Sequence, residues 1–314
     1  PRASRACCDG KGEHHMKKPT RKGYRIGKTS ALDYVLVVIL GLMALAAIFP
    51  FYQVVILSFA DTITYANHPL YLLPYAFDLT GYKAIFNEPK FFRSLLNTIF
   101  ITVVGTALNM TLSVFGAYAL SRKYLLGRRV FLNLIIFTML FSGGLIPTYM
   151  VIKGLGLINN IFVMILPSAI STYYLIIMKN YFMSLPESLL EAARIDGANE
   201  FIILTKIVLP ISLPFMATFI LFYAVERWNE WYLANLYVNK AALYPLQIYL
   251  RNVLISMSNT LNDAAKQFIS GHQKVNSTAV QMATIVVTTI PILCVYPFVQ
   301  KHFVKGVMVG GIKE

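Results

Sequence analysis

Six long runs without a charged residue dominate this chain of 314 residues. A helix needs about 20 mostly apolar residues to cross a membrane, and a charge at its centre costs about 2.5 to 3.5 kcal/mol on insertion scales. The runs have about that length, so they predict an all-α integral membrane protein with six transmembrane helices. They are Tyr34–Ala60, Ser94–Ser121, Val130–Ile152, Gly154–Met178, Ile207–Val225 and Val275–Gln300.

The composition excludes the soluble classes of protein. Hydrophobic residues make up 57% of the chain and charged residues only 13%, whereas about a quarter of an average soluble chain is charged. The high apolar content excludes disorder, and three cysteines cannot form a disulfide framework. A shorter uncharged stretch, residues 62–77, contains Pro69 and Pro74, and we interpret it as a loop.

The basic residues predict the orientation. With the N-terminus inside, the inner segments hold 19 of the 28 Lys and Arg residues and the outer segments hold 8, so the positive-inside rule places both termini in the cytoplasm. The predicted organisation is a basic N-terminal tail (1–33), a transmembrane domain (34–300) and a cytoplasmic C-terminal tail (301–314). We expect residues 1–15 to be a non-native extension, because Met16 is followed by a basic stretch typical of a natural start.

The polar residues form no catalytic or metal-binding pattern. The cysteine and histidine residues do not have the spacing of a zinc site, and the glycine residues do not have the spacing of a phosphate-binding loop. We therefore expect that the protein is not an enzyme and binds no metal. The basic N-terminal tail stands beside a membrane segment, which favours lipid over nucleic acid as its partner. An ion-driven secondary carrier is the alternative class, but it would place charges at mid-membrane, and the six runs contain none.

The segment 184–210 has the pattern of two short helices joined by a sharp turn. Pro186 suits a first helical turn, and we expect Leu185, Leu189 and Ala192 to form one face of the first helix. The opposite face is predicted to carry Glu187, Glu191 and Arg194. Gly197 can adopt a positive φ and end this helix, Asn199 can cap the next, and Pro210 disfavours helical geometry at Leu209.

The same segment resembles the EAA motif of permease subunits of binding-protein-dependent ABC importers. From about Lys17 onward the chain resembles carbohydrate permeases of the maltose-permease type, most closely their polysaccharide-fragment branch. Supporting stretches are Asn97-Thr98, Phe141 to Tyr149, Gly154 to Asn159, Tyr244 to Leu250 and Phe303 to Lys313. The residues that match the motif are Glu191, Ala192, Ala193, Gly197, Ile207, Leu209 and Pro210.

The resemblance implies a type I ABC importer permease in the bacterial inner membrane. The loop would then be a coupling helix that fits a groove on an ATPase subunit, with Glu191 and Asp196 meeting basic partners, and Gly310 and Gly311 of the tail would reach the same interface. The expected partners are a second, related permease subunit, two ATPase subunits, an extracytoplasmic solute-binding protein and an oligosaccharide. ATP and Mg would bind to the ATPase subunits, with no cofactor on this chain.

A cluster of aromatic and polar residues follows the fifth run. Trp and Tyr belong in an interfacial belt, but they also stack on sugar rings, so this cluster is either a membrane anchor or a border of the substrate path. Glu226 and Glu230 share a helix face with Arg227 nearby, which allows an internal ion pair. The substrate-path residues that we predict are Glu226, Trp228, Asn229, Trp231 and Tyr232.

Two further points remain open in the sequence. Gly143, Gly144 and Pro147 interrupt the third run, and such a break either lines a cavity or is an ordinary feature of a membrane helix. Two classes of substrate fit the sequence. One is a fragment of an acidic polysaccharide such as alginate, and the other is a neutral oligosaccharide. Lys83, Lys90 and Arg93 of the outer loop are compatible with the acidic one.

Overall fold

A computed structural model describes residues 31–61, 68, 71–75, 77–255 and 278–294. The described residues contain helices and turns and no strand. The chain divides into two compact units after Pro50. Within the first unit the described residues belong to one apolar helix, the beginning of α1 (Ala31–Leu57), on which every side chain from Leu32 to Pro50 is exposed.

The second unit is built around α3 (Pro89–Ser121), a helix of 33 residues that packs against α6 and α9. Pro89 suits the start of α3 because the first N–H groups of a helix lack intrahelical partners. The other helices of this unit are α2 (Thr80–Phe86), α4 (Arg128–Leu140), α5 (Leu145–Gly154), α6 (Thr172–Ser184), α7 (Glu187–Ile195), α8 (Glu200–Ile211), α9 (Leu213–Trp228), α10 (Tyr232–Tyr237), α11 (residues 246–255) and α12 (Thr278–Cys294), together with 3₁₀ turns at Ile161–Met164 and Ala241–Leu243.

Two of the described helices, α1 and α3, are long and apolar enough to cross a membrane, and up to four spans result if each bent helix pair counts as one. The third run is α4 and α5, which meet at 116°. The break lies at Gly144, which has a φ of 85°, and Pro147 sits inside the first turn of α5. The sequence therefore located this interruption correctly.

The fourth run differs from the continuous helix expected for residues 154–178. Only α6, from Thr172 onward, is a regular helix there. Gly156 and Asn159 both have a positive φ, and Asn159 is the only described residue other than glycine that does. These turns, followed by Pro167, end regular helix and leave residues 155–171 as an irregular segment with one 3₁₀ turn.

The fifth run is bent by 88° between α8 and α9. Pro210 was expected to disturb Leu209, but Leu209 is helical, with φ −62° and ψ −47°. A π-helical stretch, Ile203–Val208, precedes the proline and alters the hydrogen-bond register there. The bend falls at Ser212, just before Pro214.

Candidate functional site

The turn between α7 and α8 has the geometry that the sequence indicates. Gly197 has a φ of 81°, and its N–H donates to the carbonyl of Arg194 at 3.0 Å. The N–H of Ala198 donates to the carbonyl of Ala193 at 3.0 Å, which closes the end of α7. Asn199 caps α8, because its Oδ1 accepts the N–H of Ile202 at 2.8 Å. The predictions for Gly197 and Asn199 are confirmed.

The orientation of α7 differs from the expected one. Leu190 is 3% exposed and packs with Ala193 in the main apolar core, whereas Leu189 is 39% exposed and Ala192 is also exposed. The predicted apolar face was therefore wrong. Compared with that prediction, α7 is turned about its own axis by about one residue, which is about 100°. Leu185, half-buried, packs against the same core as expected.

The motif residues divide into an outer and an inner group. Ala193 is buried, and Ile207 and Leu209 are half-buried and pack against the core between α3, α6 and α9. Gly310 and Gly311 lie outside the described residues. The exposed ones are Glu191, Ala192, Asp196, Gly197 and Pro210. The exposed residues at and before the Gly197 turn form a small knob (residues 191, 192, 196 and 197).

A polar network fastens this knob to the end of α3. Glu200 accepts hydrogen bonds from the Tyr118 hydroxyl at 2.6 Å and from Nε of Arg194 at 3.0 Å. The Arg194 guanidinium also lies 5.2 Å from the ring centre of Tyr124. Because Tyr118 belongs to α3 and Arg194 to α7, Glu200 at the start of α8 joins three helices.

The charges in this network shift the ionisation of their neighbours. The hydrogen bond to Glu200 raises the pKa of Arg194, and burial raises the pKa of the Tyr124 hydroxyl. Nζ of Lys123 donates to Oε2 of Glu187 at 3.0 Å, and this hydrogen bond lowers the pKa of the Glu187 carboxyl. The shifts at Arg194 and Glu187 both favour the charged forms of these two side chains.

Four of the five predicted substrate-path residues line one cavity of about 370 Å³ at the end of α9. Trp228 instead borders a larger and mainly apolar cavity, which Glu226 also reaches, between α3, α6, α9 and α12. The residues around the smaller cavity, which we call the α9 cavity, are Ser168, Glu226, Arg227, Asn229, Glu230, Trp231 and Tyr232.

Hydrogen bonds hold the polar side chains of the α9 cavity in place. The Tyr174 hydroxyl donates to Oε1 of Glu226 at 2.8 Å, and Nε2 of Gln247 donates to Oδ1 of Asn229 at 3.2 Å. The Arg251 guanidinium lies 5.1 Å from the ring centre of Trp231. The cavity thus combines aromatic faces with fixed hydrogen-bonding groups, a combination typical of small-molecule sites.

The sequence missed the environment of Arg227. This residue is 4% exposed, and among the described residues it forms no ion pair, so the internal ion pair that the sequence allowed is not formed. The acceptors around it are the carbonyl oxygens of Met164, Ile165 and Ser168, the Ser168 hydroxyl, and Oδ1 of Asn109. The available signal was a lone arginine two residues beyond an apolar run.

Residues 28–309 match the family described as binding-protein-dependent transport system inner membrane component. The chain belongs to this family.

Two relatives cover most of the chain. It is 45% identical over 286 residues, which are 91% of the chain and 99% of the relative, to a polygalacturonan/rhamnogalacturonan transport system permease protein, YtcP, of Bacillus subtilis (strain 168). It is 44% identical to Protein LplC of the same organism, covering 88% of the chain and 93% of the relative.

A solved structure has the same fold. A bacterial ABC transporter involved in the import of the acidic polysaccharide alginate contains a chain that is 35% identical, with a TM-score of 0.80, covering 88% of the permease and 99% of that chain. The permease is therefore a multi-pass membrane protein of a binding-protein-dependent sugar ABC importer, a transport subunit rather than an enzyme.

Proposed function

We propose that this permease forms the translocation path for an oligosaccharide and couples its movement to ATP hydrolysis on partner subunits. The observation that carries this proposal is the exposed knob at Gly197, which the Glu200 network joins to α3. A knob that moves as one piece with the central helix converts a displacement of its partner into a movement of the transmembrane helices.

The chemistry of the knob suits a basic groove on an ATPase subunit. Glu191 and Asp196 are exposed acidic groups, and Ala192 between them offers a small surface that allows close approach. When two ATPase subunits close around ATP, they would pull the knob and open the path outward, and hydrolysis would return it. Such alternating access requires that the partner contact the knob differently in the two states.

The assembly that follows contains a second permease subunit, two ATPase subunits and a solute-binding protein, in a bacterial inner membrane. In that assembly this permease would have six spans with both termini in the cytoplasm. Residues 1–33 would form an N-terminal tail, residues 34–300 the transmembrane domain and residues 301–314 a C-terminal tail. Mg and ATP would bind the ATPase subunits.

The substrate that we propose is a fragment of an acidic polysaccharide. The similar importer carries alginate, described as acidic, and the similar permease serves polygalacturonan, a polymer of uronic acid. In this chain Arg251 brings a guanidinium to Trp231, beside the α9 cavity. A cation next to an aromatic face provides both a partner for a carboxylate and a platform for a sugar ring.

The function is tested with the assembled complex in vesicles. We expect uptake of uronate oligosaccharides that requires ATP and the binding protein, and weaker competition by neutral oligosaccharides of equal length. Uptake driven by a proton or sodium gradient without nucleotide would refute the coupling proposal, and preference for the neutral sugars would refute the acidic substrate.

Docking of the knob has a separate test. A cysteine at Ala192 should cross-link to the ATPase subunit, whereas one at the neighbouring Ala193, which is buried, should not. Equal cross-linking at both positions would show that α7 does not present this face to the ATPase.

A further inference from the structure

Arg227 lies where three parts of the permease meet. It belongs to the last turn of α9, and its guanidinium reaches both Asn109 of α3 and the irregular segment that precedes α6. Nη1 of Arg227 donates to the carbonyl of Met164 at 2.6 Å and to the Ser168 hydroxyl at 2.8 Å. Nη2 of Arg227 donates to Oδ1 of Asn109 at 3.0 Å and to the carbonyls of Ile165 and Ser168.

These acceptors explain why a charged side chain is buried here without a carboxylate. Met164 ends a 3₁₀ turn, and Ile165 and Ser168 follow it outside any regular helix, so the carbonyl oxygens of these three residues need hydrogen-bond partners from elsewhere. Irregular backbone inside a membrane protein persists only where protein or a water-filled cavity satisfies it. The planar guanidinium supplies several donors from one side chain, whereas a lysine ammonium would supply them from a single point.

The facing helix is shaped to admit this arginine. A Cβ at Gly105 of α3 would lie 3.0 Å from Cδ and 3.1 Å from Nε of Arg227. Nε is the guanidinium nitrogen that has no hydrogen-bond partner among the described residues. Gly105 thus leaves room for the arginine stem, and even a methyl group there would have to displace it.

We propose that Arg227 is a positioning residue that holds residues 164–168 against α3 and α9 and thereby fixes one wall of the α9 cavity. Ser168, which accepts from Arg227, lines this cavity together with Glu226, Asn229 and Trp231. The role of that wall in transport rests on the proposed function, whereas the holding of the segment does not.

A cysteine reporter tests the holding directly. Val163 is 0% exposed and precedes the held residues, so Val163→Cys reports release of the segment. In a background in which Cys7, Cys8 and Cys294 are serine, we expect a maleimide to label the purified complex slowly. Arg227→Lys should raise the labelling rate at least 10-fold, because the ammonium cannot reach all of the acceptors.

Two further variants keep the test decisive if Arg227→Lys assembles poorly. Gly105→Ala leaves the arginine and its acceptors in place but crowds its stem, and it should also accelerate labelling. Arg129→Lys is the matched control, because Arg129 is exposed at the start of α4, and it should not accelerate labelling. If Arg227→Lys and Gly105→Ala both label as slowly as the control, the segment does not depend on Arg227 and the proposal is wrong.

Uptake separates positioning from mere stability. At a temperature well below the unfolding transition of the assembled complex, we expect Arg227→Lys to lower uptake about 10-fold. Faster labelling with normal uptake would show that Arg227 holds the segment but that this wall plays no part in transport, which refutes the cavity-wall role. Absence of ATP-driven uptake in the unmodified complex would refute the proposed function and leave the labelling result standing.

Discussion

Arg194 and Glu200 form an ion pair across the Gly197 turn, with Nε of Arg194 3.0 Å from Oε1 of Glu200. One residue belongs to α7 and the other begins α8, so the pair closes the turn from both sides. Tyr118 of α3 donates to the other oxygen of the same carboxylate at 2.6 Å. The knob is therefore attached to the central helix by a charged group that both of its helices share.

This ion pair should contribute measurably to stability. The two side chains are 34% and 40% exposed, and we expect a coupling energy of about 0.5 to 1 kcal/mol from the unfolding of Arg194→Gln, Glu200→Gln and the double variant. The more exposed Lys123–Glu187 pair is the control and should give less. Equal coupling energies for the two pairs would contradict the view that the Arg194–Glu200 pair attaches the knob more tightly than an exposed surface pair would.

Gly197→Val should uncouple transport from ATP hydrolysis. A β-branched residue is strained at a φ of 81°, so the turn and the position of the knob should change. In vesicles we expect the assembled complex to hydrolyse ATP while uptake is abolished. Gly197→Asn is the matched control, because asparagine tolerates a positive φ, and it should retain more uptake than valine. Normal uptake by the valine variant would show that this turn is not needed.

Leu190→Ala should destabilise the permease much more than Leu189→Ala. Leu190 is buried in the core, and its truncation should cost about 2 to 5 kcal/mol of the free energy of unfolding. Leu189 is substantially exposed and its truncation should cost about 0.5 kcal/mol or less. Thermal unfolding in detergent measures both. A larger loss of stability for Leu189→Ala than for Leu190→Ala would show that α7 buries the face predicted from the sequence.

Trp231→Ala should reduce uptake several-fold with ATP hydrolysis retained. Trp231 is exposed at the α9 cavity, and an aromatic contact is worth about 1 kcal/mol. Trp231→Phe keeps a stacking face and should lose less. Tyr173→Ala removes an exposed aromatic side chain of α6 and serves as the control. If all three variants transported alike, Trp231 would belong to an interfacial belt and not to the path.

The sequence determined the features that depend on neighbouring residues. The uncharged runs indicated a membrane protein, and Gly197 and Asn199 predicted the turn and the helix cap between α7 and α8. Glu226, Asn229, Trp231 and Tyr232 meet at one cavity because they lie close together in the chain, where α9 ends and α10 begins. Local backbone preference and hydrophobicity are sufficient for each of these features.

Tertiary structure decided the rest. The rotation of α7 depends on which side chain fills the core between α3 and α6, and the bend at Ser212 depends on the packing of α8 and α9. The acceptors of Arg227 lie 59 to 118 residues away in the chain. No local pattern specifies such partners, since a buried charge is stabilised only by the groups that folding brings around it.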